Sequence, residues 1–477
     1  MARELRSWRR PKAEPMTTTT LSGFTNNTTA PTYLVSEDED EFDAPVIITR
    51  MTDHNEADFN SDHSLVHLHA SLPAFIKKDG VDYYRTGDSL STWRHIDTND
   101  GSVVGFTYSQ GEGRILSKVS PGRAYWYYSN TILYATHRDY DSLTGGTTQT
   151  NMIDFSDSTA ITGLTNVYTN MQFNSSHFNL SHSDVGCMVG TTDGTDVWLV
   201  TVDMDGLFGD PDNGGTYVLH EEELTWLDWA NNYSGADGLR WVKTSLDGNY
   251  NVIGYFTDET TRETDFDTST RGIWVYPVGT TTVAAGSQLT IQRNHSCLAI
   301  NAAGDQVMVT NDFGYRGYQD NTSTVVTSNG NARYLYEVSE IRLSDAVVTG
   351  LYWEDAVDPH WGYTSGENNV NRPGYCSFSY SGNATDAGNN DAALLLGMWH
   401  LDGGDHATLG TGEASFEPWT RIYSDQADGA ARETPHGVSN SDGTKIAYRA
   451  NYSQASLNPS STCTGFIAQC QMQRRNM

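Results

Sequence analysis

One phrase recurs along this chain with drifting spelling, and it constrains the fold more than any other feature. It consists of an apolar or aromatic residue, often histidine, then a few polar residues, an Asp-Gly-type turn, and a β-branched apolar run. The clearest copy spans 435–448: Pro435-His436-Gly437-Val438 leads into Asn440-Ser441-Asp442-Gly443, and Thr444-Lys445-Ile446-Ala447-Tyr448 leaves it. Asp-Gly between two apolar runs is a hairpin signal, because the glycine accepts the positive φ of a tight turn. Related copies span 241–255, turning at Asp247-Gly248, and 295–310, turning at Gly304-Asp305. Further copies are expected at 177–189, turning around Asp184 to Gly186, and at 93–106, turning at Asp100-Gly101. Two looser ones lie at 58–69, turning at Asp62-His63, and at 375–398, where an insertion rich in Gly, Asn and Asp replaces the tight turn.

Between the copies come second hairpins whose last strands read as 196–202 and 272–277. Four strands per unit and seven units predict an all-β, seven-bladed β-propeller. Residues 44–455 then give roughly 59 residues per unit, longer than the about 40 to 45 of a WD40 blade, so long loops decorate the rims. The competing architecture is a β-sandwich, which also carries short strands and turn signals. The reading divides the chain into an N-terminal arm at 1–43, a propeller at 44–455 and a C-terminal tail at 456–477. The arm begins with Arg3, Arg6, Arg9, Arg10 and Lys12, continues Thr-rich, and closes on Ser36-Glu37-Asp38-Glu39-Asp40-Glu41. It is expected to be a linker or an anchor for an assembly partner.

Charge and cysteine narrow the function classes. Acidic residues outnumber basic ones 60 to 29, and six of the basic residues are lysine. A net charge of −31 repels phosphate backbones and argues against nucleic acid as a partner. It also suits a saline, marine habitat. No apolar h-region follows the basic start, so no secretion signal is recognised, and a cytoplasmic, virion or cell-surface setting is expected. No run reaches the ~18 apolar residues of a membrane span. The five cysteines, Cys187, Cys297, Cys376, Cys463 and Cys470, are an odd and scattered set rather than a disulfide framework. Cys187 and Cys297 sit in strand patterns and are expected to be buried thiols.

Residues that open successive first strands of a propeller converge although they are distant in sequence. Here His95, His177, His295 and His436 hold such positions, and Arg94 and Arg240 hold comparable ones. Clustered imidazoles can share a divalent metal, and an arginine can hold a carboxylate while a nearby histidine takes a proton. The structural alternative is that each histidine bonds neighbouring backbone. Other motifs carry less. His67-Leu68-His69 puts two imidazoles on one face of a strand, and 220–223 has no second histidine at helical spacing. The oxygen-rich loops 203–206 and 210–214 lack the closing glutamate of an EF-hand. The tryptophans Trp126, Trp229, Trp353, Trp361, Trp399 and Trp419 would suit stacking on sugar rings, or blade packing.

The phrase around Asp442-Gly443, with its relatives at Asp247-Gly248 and Gly304, resembles the repeat of TolB-type propellers. Asn294-His295 ahead of Ala302-Ala303-Gly304, and Pro435-His436 ahead of Ser441-Asp442-Gly443, resemble two late-blade segments of the oligogalacturonate lyases. Ile48-Thr49-Arg50-Met51-Thr52 is similar to their first-blade lead-in. Those are seven-bladed propellers that cleave uronic-acid glycans by β-elimination with a metal on clustered histidines. The resemblance implies a polysaccharide as substrate, His295 and His436 as metal ligands, and Mn²⁺ or Ca²⁺ as the metal. The family pattern carries a further histidine two residues before the one matching His436, and Thr434 stands there. For such chemistry His177 is the expected base and Arg240 the expected carboxylate clamp. The chain thus reads as a carbohydrate-active propeller and candidate polysaccharide lyase; the rival reading is a non-catalytic ring for binding or assembly.

Overall fold

A computed structural model describes residues 32–34, 46–52, 74–78, 81–87, 93–104, 114–117, 124–129, 132–137, 151–154, 163–172, 185–203, 218–225, 238–256, 272–279, 287–290, 296–311, 324–326, 332–334, 338–352, 361–365, 371–381, 394–401, 416–422, 436–450 and 464–470. All regular structure among them is β, in antiparallel sheets of four or five strands plus one short hairpin at 324–334. Six sheets take four strands each, consecutive in the chain except in sheet V, where the short hairpin intervenes. They are sheet I (75–104), sheet II (114–154), sheet III (170–223), sheet IV (238–290), sheet V (296–352) and sheet VI (361–422).

Sheet VII is different. Its order runs Val438–Ser439, Lys445–Ala450, Thr464–Cys470, Val46–Arg50, Thr32–Leu34, so strands from both ends of the sequence share one sheet. Val46 pairs with Cys470 and Arg50 with Phe466, in register throughout. The segments expected as arm and tail therefore each supply a strand. The reason is visible in the last one, where Phe466, Ile467 and Ala468 are all buried, which a polar tail would not achieve.

The hairpin turns show why the repeated phrase works. In Ser245–Gly248, Asn301–Gly304 and Asn440–Gly443 the glycine N–H donates to the carbonyl of the first residue, at 2.9, 3.0 and 3.0 Å. The glycines adopt φ of 78°, 88° and 59°, which a side chain would strain. The first residue also caps the turn. Ser245 Oγ accepts from the N–H groups of Asn249 and Tyr250, Asn301 Oδ1 from those of Ala303 and Asp305, and Asn440 Oδ1 from those of Thr444 and Lys445. Short polar side chains at that position thus replace lost backbone partners.

Two expected turns fall differently. Gly186 lies inside the strand Val185–Thr191 and not in a turn. The described turn beside it follows the strand and joins the second and third strands, where Asp196 accepts from Thr191 Oγ1, the Thr192 N–H and Trp198 Nε1. Asp100-Gly101 does turn, but between the third and fourth strands of sheet I. The copy at 58–69 lies outside the described residues.

Sheets IV, V, VI and VII are each covered on both faces by their neighbours in chain order. Alternate residues of one strand serve opposite neighbours. Val252 packs with Leu298, Met308 and Ile341 of sheet V, whereas Ile253 packs with Val189 and Leu199 of sheet III. In sheet VII, Ile446 and Tyr448 join Leu396, Met398 and Trp419 of sheet VI, and Ala447 and Ile467 join Phe75, Tyr84 and Ile96 of sheet I. Cys297, Val307 and Val309 of sheet V meet Cys376, Phe378 and Trp399 of sheet VI. The apolar stack therefore runs III, IV, V, VI, VII, I. This face-to-face succession is propeller-like.

A buried polar joint holds sheets VII and I together. Lys445 Nζ lies 3.2 Å from Asp82 Oδ2 and donates to Thr98 Oγ1 at 2.8 Å, while Asn440 Nδ2 donates to Asp82 Oδ2 at 2.9 Å. Both charged side chains are nearly closed off from solvent. Removing one partner of such a pair strands the other charge, which costs about 3 kcal/mol or more. Lys445→Ala is expected to lower the urea-unfolding free energy by about that amount. Arg342→Ala, which removes the half-exposed pairs to Asp305 and Asp345, is expected to cost under about 1 kcal/mol. Equal losses in the two variants would contradict the buried joint.

Candidate functional site

Antiparallel connectivity sorts the connections between two ends of the stack. In sheets IV, V and VII the first turn is short, at 245–249, 301–305 and 440–444, while the second connection is long, at 257–271, 312–337 and 451–463. Segments joining one sheet to the next attach at the same end as those long connections. Residues opening a first strand therefore stand at the long-connection end, where variable loops can build a site.

His436 is the candidate the structure describes most fully. It precedes the strand Val438–Ser439, is 3% exposed, and holds φ of 47°. Positive φ is uncommon for a residue with a side chain and persists only where the surroundings overdetermine it. The next residue shows how. The Gly437 N–H donates to Ser379 Oγ at 2.8 Å, and Ser377 Oγ donates to the Gly437 carbonyl at 3.4 Å, which clamps this backbone onto sheet VI. A Cβ on Gly437 would lie 2.8 Å from Leu396 Cδ1 and 3.0 Å from Ser379 Cβ.

Arg240 belongs to the first strand of sheet IV, Gly238–Thr244. Leu239 pairs with Tyr255 and Trp241 with Gly254, so Arg240 is the extra residue of a β-bulge. Among the described residues this is the one first-strand pairing that is interrupted; the bulges of sheets III to VI otherwise fall between third and fourth strands. His177 and His295 lie outside the described residues, His177 between the first two strands of sheet III and His295 directly before Ser296–Ile300. The side chains of Arg94 and His95, and the 67–69 motif, also lie outside them. Topology thus brings Arg240 and His436 to the same end of their sheets.

No three His, Cys, Asp or Glu side chains gather in metal-ligating geometry among the described residues. His436 alone does not fit a metal, and no chemistry is routed through one here. Of the tryptophans, Trp399 and Trp419 are buried blade packing, at 4% and 1% exposure. His220 is exposed on the strand Val218–Glu223, far from helical geometry. No helix is long and apolar enough to cross a membrane among the described residues.

The opposite end of sheet VI carries a cluster that sequence reading did not find. His400 Nε2 lies 3.2 Å from Glu417 Oε2, and Trp419 Nε1 donates to Glu417 Oε1 at 3.0 Å. The Tyr375 ring meets the His400 ring edge-on at 4.7 Å, and the Arg372 guanidinium sits 3.7 Å over Tyr375. Arg372 also donates to the Gly443 carbonyl at 2.8 Å, and Asn371 Nδ2 to Asp442 Oδ1 at 3.0 Å, so the cluster is a polar seam between sheets VI and VII. Its members come from three strands and the turn before one of them, and no local motif announces them.

Comparison with known proteins adds little to this geometry. No family model matches the chain, and no curated protein matches it. Among solved structures, an oligogalacturonate lyase in complex with manganese aligns over 94% of this chain and 99% of its own, at 11% identity and a TM-score of 0.47. A chain of a mitotic checkpoint complex aligns over 82% and 87%, at 9% identity and TM-score 0.37. The computationally designed Ika8 protein aligns over 82% and 84%, at 11% and 0.34. At these scores the alignments do not decide a family.

Two outcomes follow from the geometry. Gly437→Ala must displace Leu396 or Ser379 and is expected to lower stability by about 2 kcal/mol in urea unfolding. Burial pushes the Glu417 carboxyl up, but hydrogen bonds from His400 and Trp419 and the charge of Arg372 hold it below the usual range. A carboxyl depressed in the folded state stabilises above its unfolded pKa of about 4.3 and loses that contribution as pH falls. Glu417→Gln is therefore expected to flatten the decline of melting temperature between about pH 4.5 and 3. An unchanged acid limb would contradict this.

Proposed function

We propose that the chain closes as a seven-bladed propeller and acts on a uronic-acid glycan by β-elimination, with its site at the long-connection end. The observation that carries this reading is His436: a nearly closed-off histidine in a left-handed backbone conformation, clamped by sheet VI and placed at the head of a first strand. Stored backbone strain of this kind concentrates at functional sites. The Arg240 bulge at the same end of sheet IV supports it, since bulges are over-represented beside active sites.

The reaction dictates the roles. Removing the carbon-bound proton next to a uronate carboxylate needs a base, and the developing charge on that carboxylate needs a cation. The C–O bond breaks as the C=C bond forms, and the leaving oxygen takes a proton from a general acid or water. Arg240 is assigned as the carboxylate clamp. His177, the base expected from the sequence, lies in the connection between the first two strands of sheet III, at the opposite end from Arg240 and His436, so the base is assigned to a side chain of the long connections instead. His295 and His436, both at the heads of first strands, are proposed as residues that would hold a divalent metal, and no step of the reaction is routed through it. A local positive charge from Arg240 also lets an anionic polymer approach a chain whose total charge repels it.

The test is the ultraviolet absorbance of unsaturated uronates while the full chain is incubated with a panel of uronic-acid polysaccharides, with and without Mn²⁺ or Ca²⁺. Turnover on one glycan class is expected, falling at least about 100-fold in Arg240→Ala and in His436→Ala variants that keep the wild-type melting curve. A flat trace across the panel would overturn the enzymatic reading in favour of a binding or assembly ring.

A further inference from the structure

Two of the five cysteines meet where sheets V and VI pack together. Cys297 Sγ, on Ser296–Ile300, lies 3.4 Å from Cys376 Sγ, on Tyr375–Ser381, although 79 residues separate them. They are 1% and 0% exposed and both are thiols. Their surroundings are apolar: Ala299, Val309, Phe378, Trp399 and Leu401 close the pocket. Cys376 Sγ also approaches the Ser377 carbonyl at 3.5 Å. Cys187 provides the contrast. It is equally buried between sheets III and IV, but among the described residues no second thiol stands beside it, and burial pushes its own up to about 12.

We propose that Cys297 and Cys376 form a disulfide that staples sheet V to sheet VI. The sulfurs need to approach by about 1.3 Å to reach the ~2.05 Å of an S–S bond, a distance that side-chain torsions can supply. Each thiol loses a proton and the pair loses two electrons; a disulfide oxidant such as glutathione disulfide accepts them and leaves as two glutathione thiols. Burial fixes when this can happen. A pocket this closed excludes the oxidant, so the bond forms while sheets V and VI are still apart or transiently opened, and is then shielded from reductants. Because the bond bridges adjacent sheets across 79 residues, it restricts the unfolded chain strongly.

The experiment refolds the full chain from denaturant in a buffer of reduced and oxidised glutathione, counts thiols under denaturing conditions, and maps linked peptides by mass spectrometry. The expected result is a fall from five thiols to three and a cross-linked peptide joining Cys297 to Cys376, two hydrogens lighter than the sum of its parts. The oxidised protein is expected to melt on the order of 5 °C above the same protein refolded under reductant. Cys297→Ser/Cys376→Ser should show no such difference. Five thiols after oxidative refolding, or a link from either residue to Cys463 or Cys470, would overturn the proposal. The outcome is independent of glycan cleavage.

Discussion

The pairing of Val46–Arg50 with Thr464–Cys470 is the constraint on which the rest of this structure depends. A row of sheets stacked face to face leaves its first and last members with one apolar face uncovered. Here the last sheet is built from both chain ends, and its Ala447 and Ile467 cover Phe75, Tyr84 and Ile96 of the first. The cost of such long-range pairing is the loop entropy of almost the whole chain, which grows only slowly with length. It is met by residues that have no local role. Gly465 shows how tight the joint is: a Cβ there would lie 2.4 Å from Tyr84 Oη.

The same joint explains an oddity of composition. Of six lysines, the two whose side chains are described are both buried, Lys243 at 1% exposure and Lys445 at 8%. Both bridge neighbouring sheets: Lys243 Nζ donates to the Ser296 carbonyl at 3.2 Å, from sheet IV to sheet V, and Lys445 reaches Asp82 and Thr98 of sheet I. Buried ion pairs add little net stability over apolar packing, but they punish misalignment. In a fold of near-identical sheets, where one apolar face fits another almost as well, such groups are suited to fixing which sheet meets which.

Local chemistry was legible in the sequence and long-range pairing was not. The turns at Asp247-Gly248, Gly304 and Asp442-Gly443 could be read directly, because Ser245, Asn301 and Asn440 write their capping function into the same few residues as the positive-φ glycine. The turn expected around Asp184 to Gly186 misplaces Gly186, which carries a turn-former's identity inside a buried strand, where it pairs with Val202. Thr464–Cys470 reads as tail in the sequence because a short, partly polar segment shows its strand character only beside a partner from the other end of the chain. Of the site, the positions of Arg240 and His436 could be anticipated from their place before an apolar run. The Arg372, Tyr375, His400 and Glu417 seam could not, since its members become neighbours only through strand register.

These observations divide the molecule into two ends with different physical duties. At the short-turn end, polar groups bond across sheet boundaries: the Ala302 N–H to the Leu401 carbonyl, the Gly374 N–H to the Ile300 carbonyl, the Asn371 N–H to the Ser441 carbonyl. Side chains there are consumed by holding sheets in order, which is why the His400–Glu417 pair, despite its catalytic look, reads as structure. At the other end, among the described residues, the first strands of sheets VII and IV carry two backbone irregularities, the positive φ of His436 and the bulge at Arg240, while Ala346 holds a positive φ in a turn of sheet V. The proposed site at the end where the long connections attach rests on these two positions, Arg240 at the head of sheet IV and His436 at the head of sheet VII, and on the loops that can gather around them.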